Sequence, residues 1–284
     1  PHVLREGAAR ALFGTAAALS IAAVALICLF LLANGVPAMA EIGLPEFLFG
    51  TTWRPVNDLY GIFPMIVGSL YVTAGAMIVG VPGGLLTALY FSRFARGRTG
   101  SFLRSGVELL AGIPSVVYGF FGLVIIVPFV RLLGPGTGLS VLAASLILGI
   151  MILPTVITVA QSALDAVPAR YYEGALALGV DHEHAVFKVV APAAASGIMA
   201  AIVLGLGRAI GETMAVVMVA GNMPIIPDSL LSGVRTMTAN IVLEMGYAAD
   251  LHREALIATG VVLFVFILLI TMLLNVIRKR GEAR

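Results

Sequence analysis

Charged residues are scarce in this chain. Only 11% of its 284 residues are Asp, Glu, Lys or Arg, whereas 60% are hydrophobic, and the mean hydropathy is +1.06. A soluble domain carries about 25% charged residues, and a soluble fold this apolar would expose large hydrophobic patches to water. The net formal charge of +2 gives no support for nucleic-acid binding. The composition therefore indicates a protein that is solvated by membrane lipid.

The chain has only one cysteine and no motif for binding nucleotide phosphates. Cys28 is the single cysteine and lies in an apolar run, which excludes a disulfide framework and a cysteine metal site. The sequence contains no G-x-x-x-x-G-K-[ST], so we expect no ATP on this chain. His182 and His184 flank Glu183, but alternate helical positions point to different faces, and we interpret them as a solvated face. We expect no metal and no cofactor here.

Six apolar segments are long enough to cross a bilayer, which takes about 20 residues of helix. They predict an all-α integral membrane protein whose residues 1–284 form a single transmembrane domain. Ala38-Met39-Ala40 has the form of a signal-cleavage site, but the apolar run before it is longer than a signal peptide uses, so we expect it to remain as a span. The predicted spans are 11–33, 62–91, 107–130, 139–163, 191–220 and 255–277.

The placement of Lys and Arg predicts the orientation. If the N-terminus is cytoplasmic, most basic residues outside the spans fall on the cytoplasmic side, as the positive-inside rule expects. Six spans then make both termini cytoplasmic. The predicted outer basic residues are Arg54, Arg131, Arg235 and Arg253, and the predicted cytoplasmic ones are Arg5, Arg10, Arg93, Arg96, Arg98, Arg104, Arg170, Lys188, Arg278, Lys279, Arg280 and Arg284.

The segment 165–190 is too polar to lie in lipid and predicts a cytoplasmic helix–turn–helix. Pro168 suits the first position of a helix and Gly179 suits its end. Asp181 can then cap a second short helix with its side chain. The apolar surface that we expect this loop to offer comprises Tyr171, Tyr172, Ala175 and Leu178.

The same segment resembles the EAA loop of type I ABC importer permeases. That family's pattern is E-A-A, three residues, G, nine residues, I, one residue and L-P. The spacing is the same here, with Gly174, Val189 and Ala191 in place of Ala, Ile and Leu. In the family this loop docks in a groove of the ATPase subunit and transmits its closure. The resemblance implies that the coupling residues here are Glu173, Gly174, Ala175, Gly179, Val189 and Pro192.

The fifth predicted span contains two charges. Arg208 lies 16 residues after Pro192, about 24 Å along a helix, where a charge costs about 2.5–3.5 kcal/mol. It should therefore face the bundle interior or a watery path. Glu212 would share its helical face. Because guanidinium groups bind phosphate oxygens well, we hypothesise that Glu212 neutralises Arg208 until phosphate competes for it. A buried pair that only pins two helices together is the alternative.

Two longer stretches narrow the resemblance to phosphate-specific ABC importers. They are ELLAGIPSVVYG at 108–119 and GRAIGETMAVVMVAGN at 207–222, and the end of the second resembles PstC-type permease subunits. The resemblance places Ser115, Tyr118 and Thr213 with Arg208 and Glu212 on the substrate pathway. For the glycines and Pro114 of the third span, helix bending and packing is the alternative.

The resemblance also implies partners and a location. The chain would be half of a two-permease core, paired with a paralogous PstA-type permease subunit. Two copies of an ATP-binding subunit, which would hold ATP and Mg, would dock on the cytoplasmic side. An extracytoplasmic phosphate-binding protein would dock outside, on loops that include 53–58 and 221–253. The location implied is the lipid of a bacterial cytoplasmic (inner) membrane, with several passes through it.

Three alternatives stay open. The first is another oxyanion substrate such as sulfate or molybdate, because a membrane Arg fits any of them. The second is a gradient-driven secondary transporter, although Glu212 is its only obvious membrane acid and the EAA loop would then have no function. The third is a regulatory subunit that does not conduct. ATP dependence and the effect of Arg208→Gln on uptake would separate these functions.

Overall fold

The structure is a computed structural model that describes residues 2–95 and 97–282, with side chains over 10–95 and 97–276. Two of the basic residues used to predict orientation, Arg96 and Arg284, lie outside the described residues. The side chains of Arg5, Arg278, Lys279 and Arg280 also lie outside the described part. The orientation in the membrane stays a prediction.

The described chain is mostly helical, with one small antiparallel hairpin that pairs Trp53 with Tyr60. Several helices continue into π-helical turns, at Tyr90–Phe94, Gly122–Ile126 and Val186–Val190, and Pro55–Asn57 forms a 3₁₀ turn. The elements in chain order are α1 (His2–Ile42), α2 (Leu44–Phe49), β1 (Trp53–Arg54), β2 (Leu59–Tyr60), α3 (Phe63–Leu89), α4 (Gly97–Gly112), α5 (Ser115–Phe121), α6 (Val127–Arg131), α7 (Val141–Asp165), α8 (Ala169–Ala177), α9 (His182–Ala185), α10 (Ala191–Ala193), α11 (Ala195–Gly211), α12 (Met214–Val219), α13 (Met237–Glu244) and α14 (Asp250–Glu282).

Helix α7 lies at the centre of the fold. It packs along α3 in the most extensive helix pair, and α11 packs on α7 as well. Buried side chains of α7, among them Ile147, Met151 and Ile152, form the main hydrophobic cluster with residues of α3, α5 and α12. A second cluster joins α1, α2 and the hairpin to α14. A third lies where α3, α7 and α11 approach the 165–190 loop.

Two of the predicted spans are not straight helices. Between α4 and α5 the helix axis turns by 101° at Ile113–Pro114, because proline has no N–H to donate and its ring disfavours helical backbone at the preceding residue. The fifth predicted span turns by 72° between the helical run His182–Ala193 and α11. It is interrupted again after Gly211, where Glu212 adopts an extended backbone.

Within the described residues, four helices are long and apolar enough to cross a membrane by themselves: α1, α3 with its π turn, α7 and α14. The count reaches six if each bent pair, α4–α5 and α9–α11, forms one span. Each of these segments overlaps one predicted span. The all-α membrane architecture predicted from hydropathy is thus present, with two spans bent.

The glycines of α3 permit a close approach to α7, and this gives a test of the packing. A Cβ on Gly80 would lie 2.6 Å from Ile152 Cγ1 and 2.7 Å from the Gly149 carbonyl oxygen, whereas one on Gly83 would have its nearest neighbour at 3.4 Å, on the tip of Leu153. We expect Gly80→Ala to destabilise the protein by about 1–3 kcal/mol through overpacking. Gly83→Ala should be neutral or stabilising, because alanine favours helix. Thermal unfolding of both variants in detergent measures the difference, and equal midpoints would contradict this packing.

Candidate functional site

Arg208 lies near the end of α11 and its side chain is exposed. Its Nη1 donates to Thr155 Oγ1 of α7 over a long 3.4 Å. No described carboxylate lies within ion-pair distance of its guanidinium. The guanidinium is therefore held at the α7–α11 contact by a single long hydrogen bond on an exposed side chain.

Glu212 does not pair with Arg208. Because α11 ends at Gly211, the one-turn spacing on which that hypothesis depended is lost. The Glu212 side chain instead accepts a hydrogen bond from the Ala215 amide at 3.2 Å, at the start of α12. Its backbone carbonyl accepts one from Thr238 Oγ1 at 3.0 Å. Thr213 Oγ1 donates to the Gly211 carbonyl at 3.3 Å.

This break puts a stretch of non-helical backbone within the fifth predicted span. Such backbone is tolerated only where protein or a water-filled cavity satisfies it. Here the side chains of Glu212, Thr213 and Thr238 satisfy part of it. The pathway functions of Glu212 and Thr213 stay predictions.

Tyr118 and Ser115 lie on α5, directly after the bend at Pro114. Tyr118 is 5% exposed, and its hydroxyl donates to the Leu110 carbonyl at 2.7 Å, across the bend. Ser115 is half-buried at the first position of α5. Tyr118 thus fastens α4 to α5 and turns little surface outward. The pathway function of both residues stays a prediction.

The bent third span and the broken fifth span pack on each other. Helix α5 contacts α12, and a Cβ on Gly119 would lie 2.9 Å from Ala215 Cα and 2.7 Å from Met218 Sδ. Only glycine at this position permits the two irregular segments to approach so closely. Arg208 lies one turn before the break in the fifth span.

The helix–turn–helix predicted for 165–190 is confirmed. Helix α8 follows Pro168, and Gly179 ends it with a left-handed backbone at φ 84°. Asp181 caps α9 by accepting a hydrogen bond from the His184 amide at 2.8 Å. That hydrogen bond, together with one from the His184 side chain, lowers the pKa of the Asp181 carboxyl below its ordinary value.

The predicted coupling residues divide between surface and interior. Glu173, Gly174, Gly179 and Pro192 are exposed, and Val189 is half-buried. Ala175 is only 7% exposed, so its inclusion in the apolar surface of the loop is wrong. Tyr172 is half-buried. The exposed apolar surface is supplied by Tyr171, Leu176, Leu178 and Phe187.

His182 is not on a solvated face, which corrects the prediction for that residue. Its Nδ1 lies 2.7 Å from the Tyr172 hydroxyl, and its ring centroid lies 4.6 Å from that of Phe94 at the end of α3. Arg93 reaches over the Tyr172 ring at 5.8 Å and donates to the Leu164 carbonyl of α7 at 2.9 Å. These contacts join the helix–turn–helix to α7 and to the π turn that follows α3. We call the four residues His182, Tyr172, Phe94 and Arg93 the loop junction. His184 is exposed as predicted.

A buried polar cluster at the opposite end of the bundle escaped the sequence analysis. Glu244, at the end of α13, is 7% exposed. Its carboxylate accepts hydrogen bonds from Trp53 Nε1 at 2.8 Å and from Arg235 Nη1 at 2.6 Å, and it lies 2.9 Å from His252 Nε2. Arg235 also donates to Asn240 Oδ1 at 3.0 Å. We call Trp53, Arg235, Asn240, Glu244 and His252 the Glu244 cluster.

The Glu244 cluster joins four chain segments, which are the hairpin, the 221–236 loop, α13 and the first turns of α14. Aromatic packing encloses it, because the rings of Tyr60 and His252 lie 5.7 Å and 6.2 Å from that of Trp53. Burial, reinforced by the nearby Asp58 carboxylate, raises the pKa of the Tyr60 hydroxyl. Sequence order gives no signal for this cluster, because Trp53 and the Glu244 carboxylate that it contacts lie 191 residues apart.

Comparison with known proteins places these features in a family. Residues 80–282 match the model of the binding-protein-dependent transport system inner membrane component. The chain is 36% identical to the probable ABC transporter permease protein YqgH of Bacillus subtilis, over 98% of this chain and 93% of that protein. It is 33% identical to the phosphate transport system permease protein PstC of Mesorhizobium japonicum, over 91% and 85%, and 35% identical to PstC 1 of Mycobacterium tuberculosis, over 81% and 74%.

Solved structures with a similar fold are also ABC transporter subunits. An inward-facing structure of the MetNI methionine ABC transporter superposes with a TM-score of 0.61 at 20% identity, over 81% of this chain and 99% of that one. A second crystal form of the same transporter gives 0.58. The predicted type I ABC importer permease fold is thereby confirmed. The chain belongs to the family of binding-protein-dependent transport system inner membrane components.

Proposed function

We propose that this chain is a transmembrane permease subunit of an ATP-driven inorganic phosphate importer. The observation that carries this is Arg208, an exposed guanidinium on the fifth span that is held by a hydroxyl and by no described carboxylate. Such a group binds oxyanions with paired donors. The permease relatives that are named for phosphate transport align over most of the chain, and they support phosphate as the substrate.

The position of Arg208 suits transient binding of a passing anion better than tight, long-lived binding. The 3.4 Å contact with Thr155 leaves the guanidinium free to turn towards an arriving anion. Because the break at Glu212 follows within one turn, a small change at the end of α11 would move Arg208 relative to α7. We propose that such a change exposes Arg208 to each side of the membrane in turn.

The proposed assembly pairs this chain with a paralogous PstA-type subunit, two ATP-binding subunits that hold ATP and Mg, and an extracytoplasmic phosphate-binding protein. We place it in a bacterial cytoplasmic membrane with both termini inside. The 165–190 loop would then face the ATPase. The hairpin and the 221–236 loop, joined by the Glu244 cluster, would face the binding protein. ATP hydrolysis would take place on the partner subunit, and this chain would not itself be an enzyme.

The loop junction gives a test of coupling. If ATPase movement reaches α3 through Tyr172 and His182, His182→Ala should lower phosphate uptake several-fold while leaving the complex assembled and its ATP hydrolysis largely intact. His184→Ala, the matched change on the exposed side of α9, should retain uptake. The measurement is the ratio of phosphate transported to ATP hydrolysed in the same vesicles. An unchanged ratio in His182→Ala would contradict this route.

The substrate is tested by uptake of labelled phosphate at micromolar concentration in cells that lack this chain. Complementation with the wild-type chain should restore uptake, and excess unlabelled phosphate should compete while sulfate and molybdate should not. Restored sulfate or molybdate uptake, without phosphate uptake, would overturn the phosphate assignment. Full phosphate uptake without the chain would point to a regulatory function.

A further inference from the structure

Helix α7 is the most buried of the four helices that are each long and apolar enough to cross a membrane. Within its 18-residue apolar stretch, 67% of the residues are buried inside the subunit. Over Val141–Asp165 every residue is buried or half-buried except three. The three exposed residues are Thr158, Ser162 and Asp165, and all of them are polar. Their spacing of four and three residues places them on one helical face.

A polar face on a membrane helix needs an explanation. Lipid does not hydrogen-bond to hydroxyl groups, so polar side chains within spans face protein or a water-filled path. The face begins at Thr155, which accepts the hydrogen bond from Arg208. From Thr155 to Asp165 it runs about 15 Å along the helix. It therefore continues from Arg208 to the end of α7 that carries the helix–turn–helix.

A cavity of about 270 Å³ lies against this face. Thr158, Gln161 and Ser162 of α7 line one side of it, and Arg104 and Glu108 of α4 line another. The Ser162 hydroxyl donates to the Thr158 carbonyl of its own helix at 2.8 Å, so it has to turn away from that carbonyl to reach a ligand. The cavity thus has hydroxyl groups together with balanced charges. Beyond it, the Asp165 carboxylate is bound by Ser92 Oγ at 2.5 Å and Gln161 Nε2 at 3.3 Å.

We propose that Thr158 and Ser162 form the inner half of the oxyanion route, and that their hydroxyls bind the substrate's oxygens after it leaves Arg208. The inference rests on the proposed function and extends it to residues outside the fifth span. A hydroxyl offers one donor and no charge, so it holds an anion more weakly than the charged, paired donors of a guanidinium do. The substrate would therefore move from a strong site at Arg208 to weaker ones, and the Asp165 carboxylate at the end would not retain it.

Uptake kinetics test the hydroxyls directly. The double variant Thr158→Val with Ser162→Ala keeps the side-chain shapes but removes both donors, and we expect its maximal phosphate uptake to fall at least fivefold. The half-saturating phosphate concentration should stay unchanged, because capture occurs outside the membrane. Thr158→Ser should retain uptake. Thr259→Val, which removes a fully buried hydroxyl bonded only to the Ala255 carbonyl of its own helix, is the matched control.

Thiol accessibility tests the route independently of turnover. In a Cys28→Ala background, Thr158→Cys and Ser162→Cys should react with a charged thiol reagent in inside-out vesicles, and phosphate should slow the reaction. Val124→Cys, on the exposed apolar surface of the third span, should not react. Unreactive cysteines at 158 and 162 would mean that a partner helix covers this face, which overturns the inference.

The two experiments separate the inference from the function beneath it. If the wild type imports phosphate and the double variant equals it, the inference is wrong and the proposed function stands. If the wild type imports no phosphate, both are wrong. If the double variant is absent from the membrane, the cysteine variants decide the question.

Discussion

Arg208→Gln is expected to reduce phosphate uptake more than tenfold while the protein stays in the membrane at the wild-type level. Glutamine keeps a donor for Thr155 but loses the charge and the paired donors. A hydrogen bond to a charged group contributes about 1.5–3 kcal/mol, and each 1.4 kcal/mol is about a factor of ten. Because Arg208 has no described carboxylate partner, its removal leaves no opposite charge unpaired. The loss should therefore appear in transport and not in folding.

Two further substitutions sharpen this test. Arg208→Lys keeps the charge without the planar fork, so uptake should return only in part. Arg131→Gln, at an exposed arginine at the end of α6, should leave uptake unchanged. Wild-type uptake by Arg208→Gln, at equal membrane level, would remove Arg208 from the pathway.

Glu244→Ala is expected to destabilise the protein by about 3–5 kcal/mol, because it leaves the partly buried Arg235 guanidinium without its carboxylate. It also removes the acceptor of the Trp53 indole. Trp53 is the single tryptophan of the chain, so its fluorescence reports on this cluster without labelling. We expect an earlier unfolding transition in detergent and a red-shifted emission, as water reaches the indole.

The control for this change is Glu254→Ala, which removes an exposed glutamate near the start of α14. It should leave both the transition and the emission unchanged. Glu244→Gln keeps an oxygen acceptor without the charge and should fall between the two. An unchanged unfolding transition in Glu244→Ala would show that the cluster does not hold the four segments together.

The sequence allowed the helices and the helix–turn–helix to be predicted, because each depends on local signals. Apolar runs mark the membrane helices, and Pro168, Gly179 and Asp181 mark the ends of α8 and the start of α9. The bend at Pro114 also has a local cause. The break at Glu212 has only a weak local signal in Gly211, and the hydrogen bond that Thr238 donates to the Glu212 carbonyl comes from 26 residues away.

The same reason explains what was missed around the candidate site. His182 looked solvated because its neighbours in sequence are polar, but its contacts are Phe94 and Tyr172, which only the folded chain brings together. Glu244 lies in a short helix whose sequence says nothing about Trp53. Helical spacing suggested a pair of Arg208 with Glu212, and that prediction was wrong because α11 ends at Gly211, between them.

The most direct test of the central claim is phosphate accumulation in proteoliposomes. They would contain this chain with its co-purified permease and ATPase subunits, with the binding protein and labelled phosphate outside and ATP with Mg inside. The account predicts accumulation that requires internal ATP and the binding protein and that persists when ionophores collapse ion gradients. Accumulation driven by an ion gradient without ATP would contradict it and would identify a secondary transporter.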